Sequence, residues 1–316
     1  MILLPQNWEC KHSTTHNKPY YYNTITKKRQ WTVPSVETEK HKEIIKKFYD
    51  EVGTIKSSLK HYKIFLQSVR SLLIKFFCST FTTVLDIGCG TGNDCQKWMH
   101  AQYTGLDINE NMLKIFKERF PKIKCMQADI TDENTFVNIR EKYNCITCFD
   151  TLQYASYDKE SLKTAIRGMR KCLNDNGFLL LLVYDDEWPN KNMIEYPRQG
   201  ILGTVYHKKV TNDIEIPEWT LPIKSLVYEL ENADFKIDLN ANMSSVASYM
   251  GVQSPLETKK QQMMYHEIVQ CMSKCKVIDS ECWEFLSSYR FIICKPKLSK
   301  DIIDSAYEFI YSPWNN

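Results

Sequence analysis

Hydrophobic and polar positions change rhythm along the chain. From about Glu43 to Phe77 apolar residues recur at helical spacing, first in Ile44, Ile45, Phe48 and Tyr49, then in Tyr62, Phe65, Leu66, Val69, Leu72, Leu73 and Phe76. That spacing predicts two helices. Beyond them, short apolar runs alternate with amphipathic ones. Strands are expected near 83–88, 103–107, 123–128, 144–150 and 178–184 with helices between them, which defines a doubly wound α/β sheet with helices on both faces. Phe178 to Val183 is apolar without a break, as a strand buried on both faces requires. The preceding Asn174-Asp175-Asn176-Gly177 is expected to end the fourth helix. Residues 185 to about 217 break the alternation and read as an insertion over the strand ends. A helix over Leu221–Ala233, a strand over Phe235–Leu239, a helix over roughly 255–276 and a last strand over Arg290–Cys294 complete the pattern.

The sharpest local feature is Val84-Leu85-Asp86-Ile87-Gly88-Cys89-Gly90-Thr91-Gly92-Asn93-Asp94. A buried strand runs straight into three glycines spaced two apart, where the backbone must turn sharply and admit a ligand closely. The spacing is neither the GxGxxG of dinucleotide sites nor the GxxxxGK[ST] of triphosphate sites. A second strand ends at Asp107, about twenty residues on, where a carboxylate takes ribose hydroxyls. A third ends at Asp129.

Together LDIGCGTG, GLD and the Asp129 strand end resemble the class I S-adenosylmethionine-dependent methyltransferases. The resemblance implies a Rossmann-like fold with S-adenosyl-L-methionine as cofactor. It places Asp86, Gly88, Gly90 and Asp94 in the donor site, Asp107 on the ribose and Asp129 near the adenine. Such a fold hosts other nucleoside ligands too.

Composition narrows the picture only slightly. The chain has 316 residues, a quarter of them charged, and a formal net charge of +3, which permits a nucleic-acid partner without demanding one. The 12 cysteines are scattered, and with no signal segment or membrane-length apolar run a reduced intracellular protein is expected. Cys145 and Cys148 are read as strand packing residues. His266, Cys271, Cys275 and Cys282 are too unevenly spaced to read as zinc ligands, and no metal is expected.

Residues 4–34 form a separate unit, from Leu4-Pro5-Gln6-Asn7-Trp8-Glu9 through Tyr20-Tyr21-Tyr22-Asn23 to Gln30-Trp31-Thr32-Val33-Pro34. It resembles a WW domain, a small all-β three-stranded sheet. So small a sheet needs an aromatic clamp, for which Trp8, Tyr21 and Pro34 are the candidates. The resemblance implies Tyr20 and Trp31 as parallel aromatic walls gripping proline in an extended peptide. The first loop, Lys11 to Lys18, resembles the phosphate-holding loop of WW domains selective for phosphoserine-proline, with Ser13 among the contacts. Its bases are lysine and histidine rather than an arginine fork. The expected organisation is a WW domain over 1–35, a linker over 36–43, the methyltransferase domain over 44–298 and a tail over 299–316. Tyr311-Ser312-Pro313 in that tail is a candidate ligand for the WW slot in cis.

The acceptor is read after the fourth strand. Base-amine methylation would call for an Asn/Asp-Pro-Pro-Tyr/Phe turn and ribose 2′-oxygen methylation for a lysine base; neither stands there. Asp150-Thr151-Leu152-Gln153-Tyr154-Ala155, with Ile216-Pro217-Glu218-Trp219 and Ser287-Ser288-Tyr289-Arg290-Phe291, resembles the mRNA cap guanine-N7 methyltransferases over most of residues 44–297. The resemblance implies Thr151 near the donor methionine, Tyr154 and Tyr289 beside the guanine and Glu218 accepting from guanine N1–H and the N2 amine. Gln153 stands at the guanine where the family has histidine. Arg70 and Leu66 replace a lysine and an asparagine in the helix before the glycine turn, Arg70 at the donor site, and Tyr184 replaces a proline. No acid or base is expected, because guanine N7 already carries a free lone pair. Capped RNA and a proline-containing, phosphorylated or plain peptide such as the RNA polymerase II tail are the implied partners, in the nucleus or a cytoplasmic transcription site. A different acceptor, or a non-catalytic scaffold built on the same two modules, stays open.

Overall fold

The computed structural model describes residues 60–77, 83–98, 100–185, 221–243 and 288–297 of the large module. It also describes the backbone of 205–211 and 214–219, residues 4, 7–25, 27, 29–31 and 34 of the small module, and single positions at 46, 50 and between 259 and 270. The expected linker and the Tyr311-Ser312-Pro313 tail lie outside these residues.

The small module is an antiparallel sheet of β1 (Trp8–Ser13), β2 (Lys18–Asn23) and β3 (Arg29–Gln30), in that order. Asn17 takes the left-handed conformation that closes the β1–β2 loop. Trp8, Tyr21 and Pro34, the expected clamp, are all buried.

The large module is built on a seven-stranded sheet. It comprises β4 (Thr83–Ile87), β5 (Gln102–Asp107), β6 (Lys124–Gln127), β7 (Tyr143–Phe149), β8 (Leu173–Tyr184), β11 (Phe235–Asn242) and β12 (Tyr289–Pro296), ordered β11-β12-β8-β7-β4-β5-β6. Neighbours among β4 to β8 run parallel, whereas β12 lies antiparallel between β8 and β11. Ile87 pairs with both Leu106 and Cys148, so the carboxyl ends of β5, β4 and β7 finish level, the crevice where open α/β sheets take ligands.

Alternation along β8 explains its unbroken apolar run. Leu180, Leu182 and Tyr184 enter one core with Phe65, Val69 and Leu73 of helix α1 (Lys60–Phe77) and Phe116 of α2 (Glu110–Arg119). Leu179, Leu181 and Val183 enter the other. There they meet Phe136 of α3 (Glu133–Asn138), Ile166 and Met169 of α4 (Lys159–Cys172) and Leu226 of α5 (Ile223–Asn232). Both faces of the sheet are covered, as a parallel sheet demands.

One expectation is corrected. Asn174-Asp175-Asn176-Gly177 does not end the helix: α4 stops at Cys172 and β8 begins at Leu173. Fully buried Leu173 pairs with Tyr143, and the register then jumps to Phe178 opposite Cys145, so the four turn residues are an excursion within the strand. Burial of Leu173 outweighs the local turn preference. The 185–217 segment contains a hairpin, β9 (Val205–Thr211) with β10 (Ile214–Trp219). Asp185 bridges Leu221, so the excursion leaves and rejoins the sheet at one point.

Its root is held by charge. Fully buried Asp185 accepts from Arg290 Nε at 2.7 Å and Asn242 Nδ2 at 2.8 Å through one oxygen, tying β8 to β12 and β11. Arg290→Ala strips a buried carboxylate of its cation, which costs about 3–5 kcal/mol. Urea unfolding monitored by far-UV circular dichroism is expected to show stability falling by that amount; a loss below about 1 kcal/mol would mean that the acid is satisfied without the guanidinium.

Candidate active site

The turn after β4 is made of left-handed residues: Gly88, Gly90 and Gly92 have φ of 75°, 51° and 83°. Only glycine adopts these at no cost. Gly88 and Cys89 donate backbone N–H groups to Leu106 O at 2.7 and 3.1 Å, fastening the turn to the end of β5. A Cβ at Gly88 would meet Thr151 Oγ1 at 1.8 Å, and one at Gly92 would meet the Phe116 ring at 2.7 Å. One at Gly90 would meet nothing within 4 Å. The turn is thus closed on two sides and open in the middle.

Asp86 was expected at the donor. It lies instead beneath the turn, buried, accepting from Tyr103 Oη and from Thr147 Oγ1 at 2.7 Å. Burial raises its carboxyl to about 7, with the nearby Asp94 carboxylate adding to the effect. Asp86 is therefore a brace for the turn. Tyr103 and Thr147, which hold it, carried no sequence signal of their own.

Asp107 faces the opening. Its Oδ2 accepts the Gly90 N–H at 2.8 Å and its Oδ1 the Asn109 N–H at 2.8 Å. Burial pushes its carboxyl up while these backbone donors pull it down. Asn109 caps α2 through the Met112 N–H, and its side-chain amide donates to Asp50 at 3.0 Å, which holds position 50 against the loop after Asp107. Asp129 sits half-buried at the end of β6, where Oδ1 accepts the Thr131 N–H and Oγ1–H.

Arg70 of α1 spans the turn from the other side. One guanidinium nitrogen donates to Asp94 Oδ2 at 2.8 Å and the other to Asp150 Oδ2. Lys97 pairs with the second Asp94 oxygen and with Gln67. Asp150 is the residue that sequence reasoning missed. It continues the series of strand-end acids onto β7, a signal that was available. Its backbone is left-handed at φ 53°.

After β7, Thr151 Oγ1 donates to Phe149 O at 3.0 Å while resting over Gly88. A 3-10 turn over Leu152–Ala155 follows and lies against β10. Gln153 is fully buried there, and neither its amide oxygen nor its nitrogen has a hydrogen-bond partner. Tyr154 is half-buried. Glu218 lies on β10 in register with Tyr206, on a strand rather than at a helix start. Tyr289 lies in the core, with its hydroxyl 2.6 Å from that of Tyr184 and the two rings 4.6 Å apart.

In the small module Tyr20 and Trp31 do not stand parallel. Their centroids are 6.0 Å apart with planes at 71°, and His16 meets Trp31 edge-on at 5.1 Å. Lys18 Nζ lies 4.1 Å from the Trp31 ring centre, a cation–π contact. Ser13 Oγ accepts the His16 N–H at 3.2 Å and shapes the loop.

Comparison with known proteins agrees with this fold. Residues 84–177 match the methyltransferase-domain family model and residues 4–34 match the WW-domain model. The chain contains both domains. A protein of Pyrococcus horikoshii OT3 superposes with a TM-score of 0.51 at 12% identity, covering 78% of this chain and 99% of its own, which speaks for the fold alone. A probable mRNA-capping enzyme of Acanthamoeba polyphaga mimivirus is 27% identical over 37% of this chain and 13% of its own length. An mRNA cap guanine-N(7) methyltransferase of Cryptococcus neoformans is 23% identical over 54% of this chain and 33% of its own. The peptidyl-prolyl cis-trans isomerase pin1 of Rhizopus delemar is 50% identical over 11% of this chain and 24% of its own. The chain thus spans a third or less of these curated relatives.

The large module is a methyltransferase whose cofactor is S-adenosyl-L-methionine. The residues fit that group: open space above Gly90, Asp107 beside it for the ribose, and Thr151 closing the end near β7. When bound, the cofactor supplies an electrophilic methyl on a sulfonium. The protein positions it and keeps water away.

The raised Asp86 carboxyl makes stability depend on pH. It holds its proton to a higher pH in the folded protein than in the unfolded chain, because burial disfavours the charged form. Stability from this group is full below about pH 4 and is lost as pH rises towards about 7, at roughly 1.4 kcal/mol for each pH unit crossed. Asp86→Asn is expected to flatten the stability profile between about pH 4 and 7 in urea titrations; an unchanged slope would place the carboxyl at an ordinary value.

Proposed function

We propose that this chain transfers a methyl group to guanine N7 of an RNA 5′ cap and is brought to its RNA by the WW domain. The observation that carries the reading is the meeting of the Leu152–Ala155 turn with β10. It puts the segment bearing Gln153 and Tyr154 against the strand bearing Glu218, beside the Thr151 end of the donor pocket. Those are the residues that the cap-methyltransferase resemblance assigns to the guanine. The partial matches to a probable mRNA-capping enzyme and to a cap guanine-N(7) methyltransferase support the same acceptor.

The chemistry is consistent with the side chains. A carboxylate accepts from guanine N1–H and N2–H, a donor pair no other base offers. The buried Gln153 amide, lacking any partner, has a donor and an acceptor available for a base edge. Guanine N7 attacks without losing a proton, so in-line positioning, which is worth up to roughly 7–11 kcal/mol, takes the place of acid–base catalysis.

The test is methyl transfer from radiolabelled S-adenosylmethionine to RNAs ending in GpppA, GpppG or plain triphosphate, followed by nuclease digestion. Label is expected on the cap guanine alone. Glu218→Ala is expected to lower that transfer by about 100-fold while S-adenosylhomocysteine binding stays within about twofold, since a polar site loses roughly 2–4 kcal/mol with its partner. Label elsewhere, or equal label on triphosphate RNA, would assign another acceptor.

For the WW domain the ligand is a serine-proline peptide, phosphorylated at serine, such as the RNA polymerase II tail. Lys11 and Lys18 bracket the loop that carries Ser13, and Lys18 lies over the Trp31 ring of the slot. Tethering at a transcription site, nuclear or cytoplasmic, raises the local enzyme concentration near nascent RNA. Fluorescence anisotropy is expected to show phosphorylated peptide binding at least about fivefold tighter than plain peptide, with both lost in Trp31→Ala; equal affinity for the two would remove phosphate selection.

A further inference from the structure

Helix α4 turns Leu162, Ala165, Ile166 and Met169 towards the sheet. On its outer arc Lys159, Lys163, Arg167, Arg170 and Lys171 are cations, and Glu160 is the helix's one acid. That surplus of four positive charges exceeds the formal net charge of +3 carried by the whole chain. Lys159, Lys163, Arg167 and Lys171 recur at every fourth residue, so they follow one another along a single stripe that rises about 6 Å per step.

Stability does not call for this arrangement. Like charges four apart on a helix repel, and a helix that served the fold alone would alternate their signs. The helix dipole accounts for Arg170 and Lys171 in the last turn, but Lys159 occupies the first turn, where a cation is disfavoured. Local acids offset only part of the charge. Lys163 lies 3.4 Å from Glu160, Arg170 3.7 Å from the exposed Asp175 and Lys159 3.5 Å from Glu229. Among the described residues Arg167 and Lys171 have no ion-pair partner. An aromatic ring stands at the first residue of the stripe: Tyr228 of α5 is 57% exposed, with Lys159 Nζ 5.4 Å from its ring centre. Cations in a row beside an exposed ring suit a single nucleic-acid strand, whose phosphates take the cations while a base stacks on the ring. The step along the stripe is close to the distance between successive phosphates of an extended strand. Its starting point also fits, since α4 follows directly on the Leu152–Ala155 turn that lies against β10.

We infer that the outer face of α4, with Tyr228, is a track for the single-stranded body of an RNA, leading from the Leu152–Ala155 turn towards Lys171. Tyr228 stacks a base at the start of the track, and Lys163, Arg167 and Lys171 bind successive phosphates. Such contacts position the strand and read no sequence. The inference rests on RNA as the molecule that carries the methyl acceptor, and not on which of its atoms is methylated.

The test is fluorescence anisotropy of the full chain with a labelled, uncapped, mixed-sequence RNA of about a dozen nucleotides, over a series of salt concentrations. Each phosphate contact on a single strand contributes about −0.7 to the slope of log K against log salt. The variant carrying Lys163→Gln, Arg167→Gln and Lys171→Gln is expected to lose about 2 from that slope and to bind at least about tenfold more weakly at physiological salt. Tyr228→Ala is expected to weaken binding about fivefold or more with the slope unchanged, and Tyr228→Phe to bind as the wild type does. A control carrying Lys114→Gln, Lys117→Gln and Lys122→Gln removes the same charge from α2 and the turn after it, on the other face of the sheet. Its slope is expected to stay within about 0.5 of the wild type. Equal losses in the two triple variants would reduce the effect to net charge and overturn the track, as would an unchanged slope in the α4 variant. The wild type decides without any variant: a slope smaller in magnitude than about 2 leaves no room for three phosphates. Sedimentation with phosphatidylserine–phosphatidylcholine vesicles that depends on the α4 cations, beside RNA binding that does not, would assign the face to a membrane instead. Because the RNA is uncapped and no methyl is transferred, a negative cap assay leaves this result standing, and failure here leaves cap methylation untouched.

Discussion

A left-handed backbone turn that only glycine tolerates sets the terms for the rest of the large module. With φ positive at Gly88, Gly90 and Gly92, the chain leaving β4 doubles back onto Leu106 and directs the Gly90 N–H at the Asp107 carboxylate. Everything around the turn secures that geometry. Asp86 supports it from below, Thr151 packs against Gly88, Phe116 fills the space beside Gly92, and Arg119 reaches Thr91 O at 2.6 Å from the end of α2. The donor site is therefore a property of several elements converging on one turn.

Those elements also divide the labour. The side of the turn towards β5 and β6 offers carboxylates and backbone amides, as a neutral, hydroxyl-rich adenosine needs. The side towards β7 offers a network of fixed charges, Arg70, Asp94, Lys97 and Asp150, whose formal charges cancel. Beyond it, the Leu152–Ala155 turn lies against β10, and within that turn buried Gln153 is the polar group out of place.

Local pattern revealed the frame because strand ends and glycine spacing are local. Val84–Ile87, the acids at 107 and 129 and the apolar run ending β8 were legible from period and turn chemistry alone. What escaped depends on distance. Arg70 and Asp150 are 80 residues apart, and Tyr184 and Tyr289 are 105 apart, so nothing in either neighbourhood announces the partner. Asn174–Gly177 misled for the opposite reason: its turn propensity is strong, but the burial of Leu173 opposite Tyr143 decides. Asp86 was legible as an acid at the turn but not as one facing inward, since orientation follows from Tyr103 and Thr147 on the adjacent strands. Gln153 was visible as a departure, and its burial could not be inferred.

The placement of β12 bears on how the protein comes into being. This strand, made of residues 289–296, is inserted between β8 and β11, which come earlier in the chain. During synthesis the sheet therefore carries a gap until β12 has left the ribosome, whereas the WW sheet, within residues 4–34, is made well over 200 residues earlier. A nascent chain has a finished recognition module long before it has a finished enzyme.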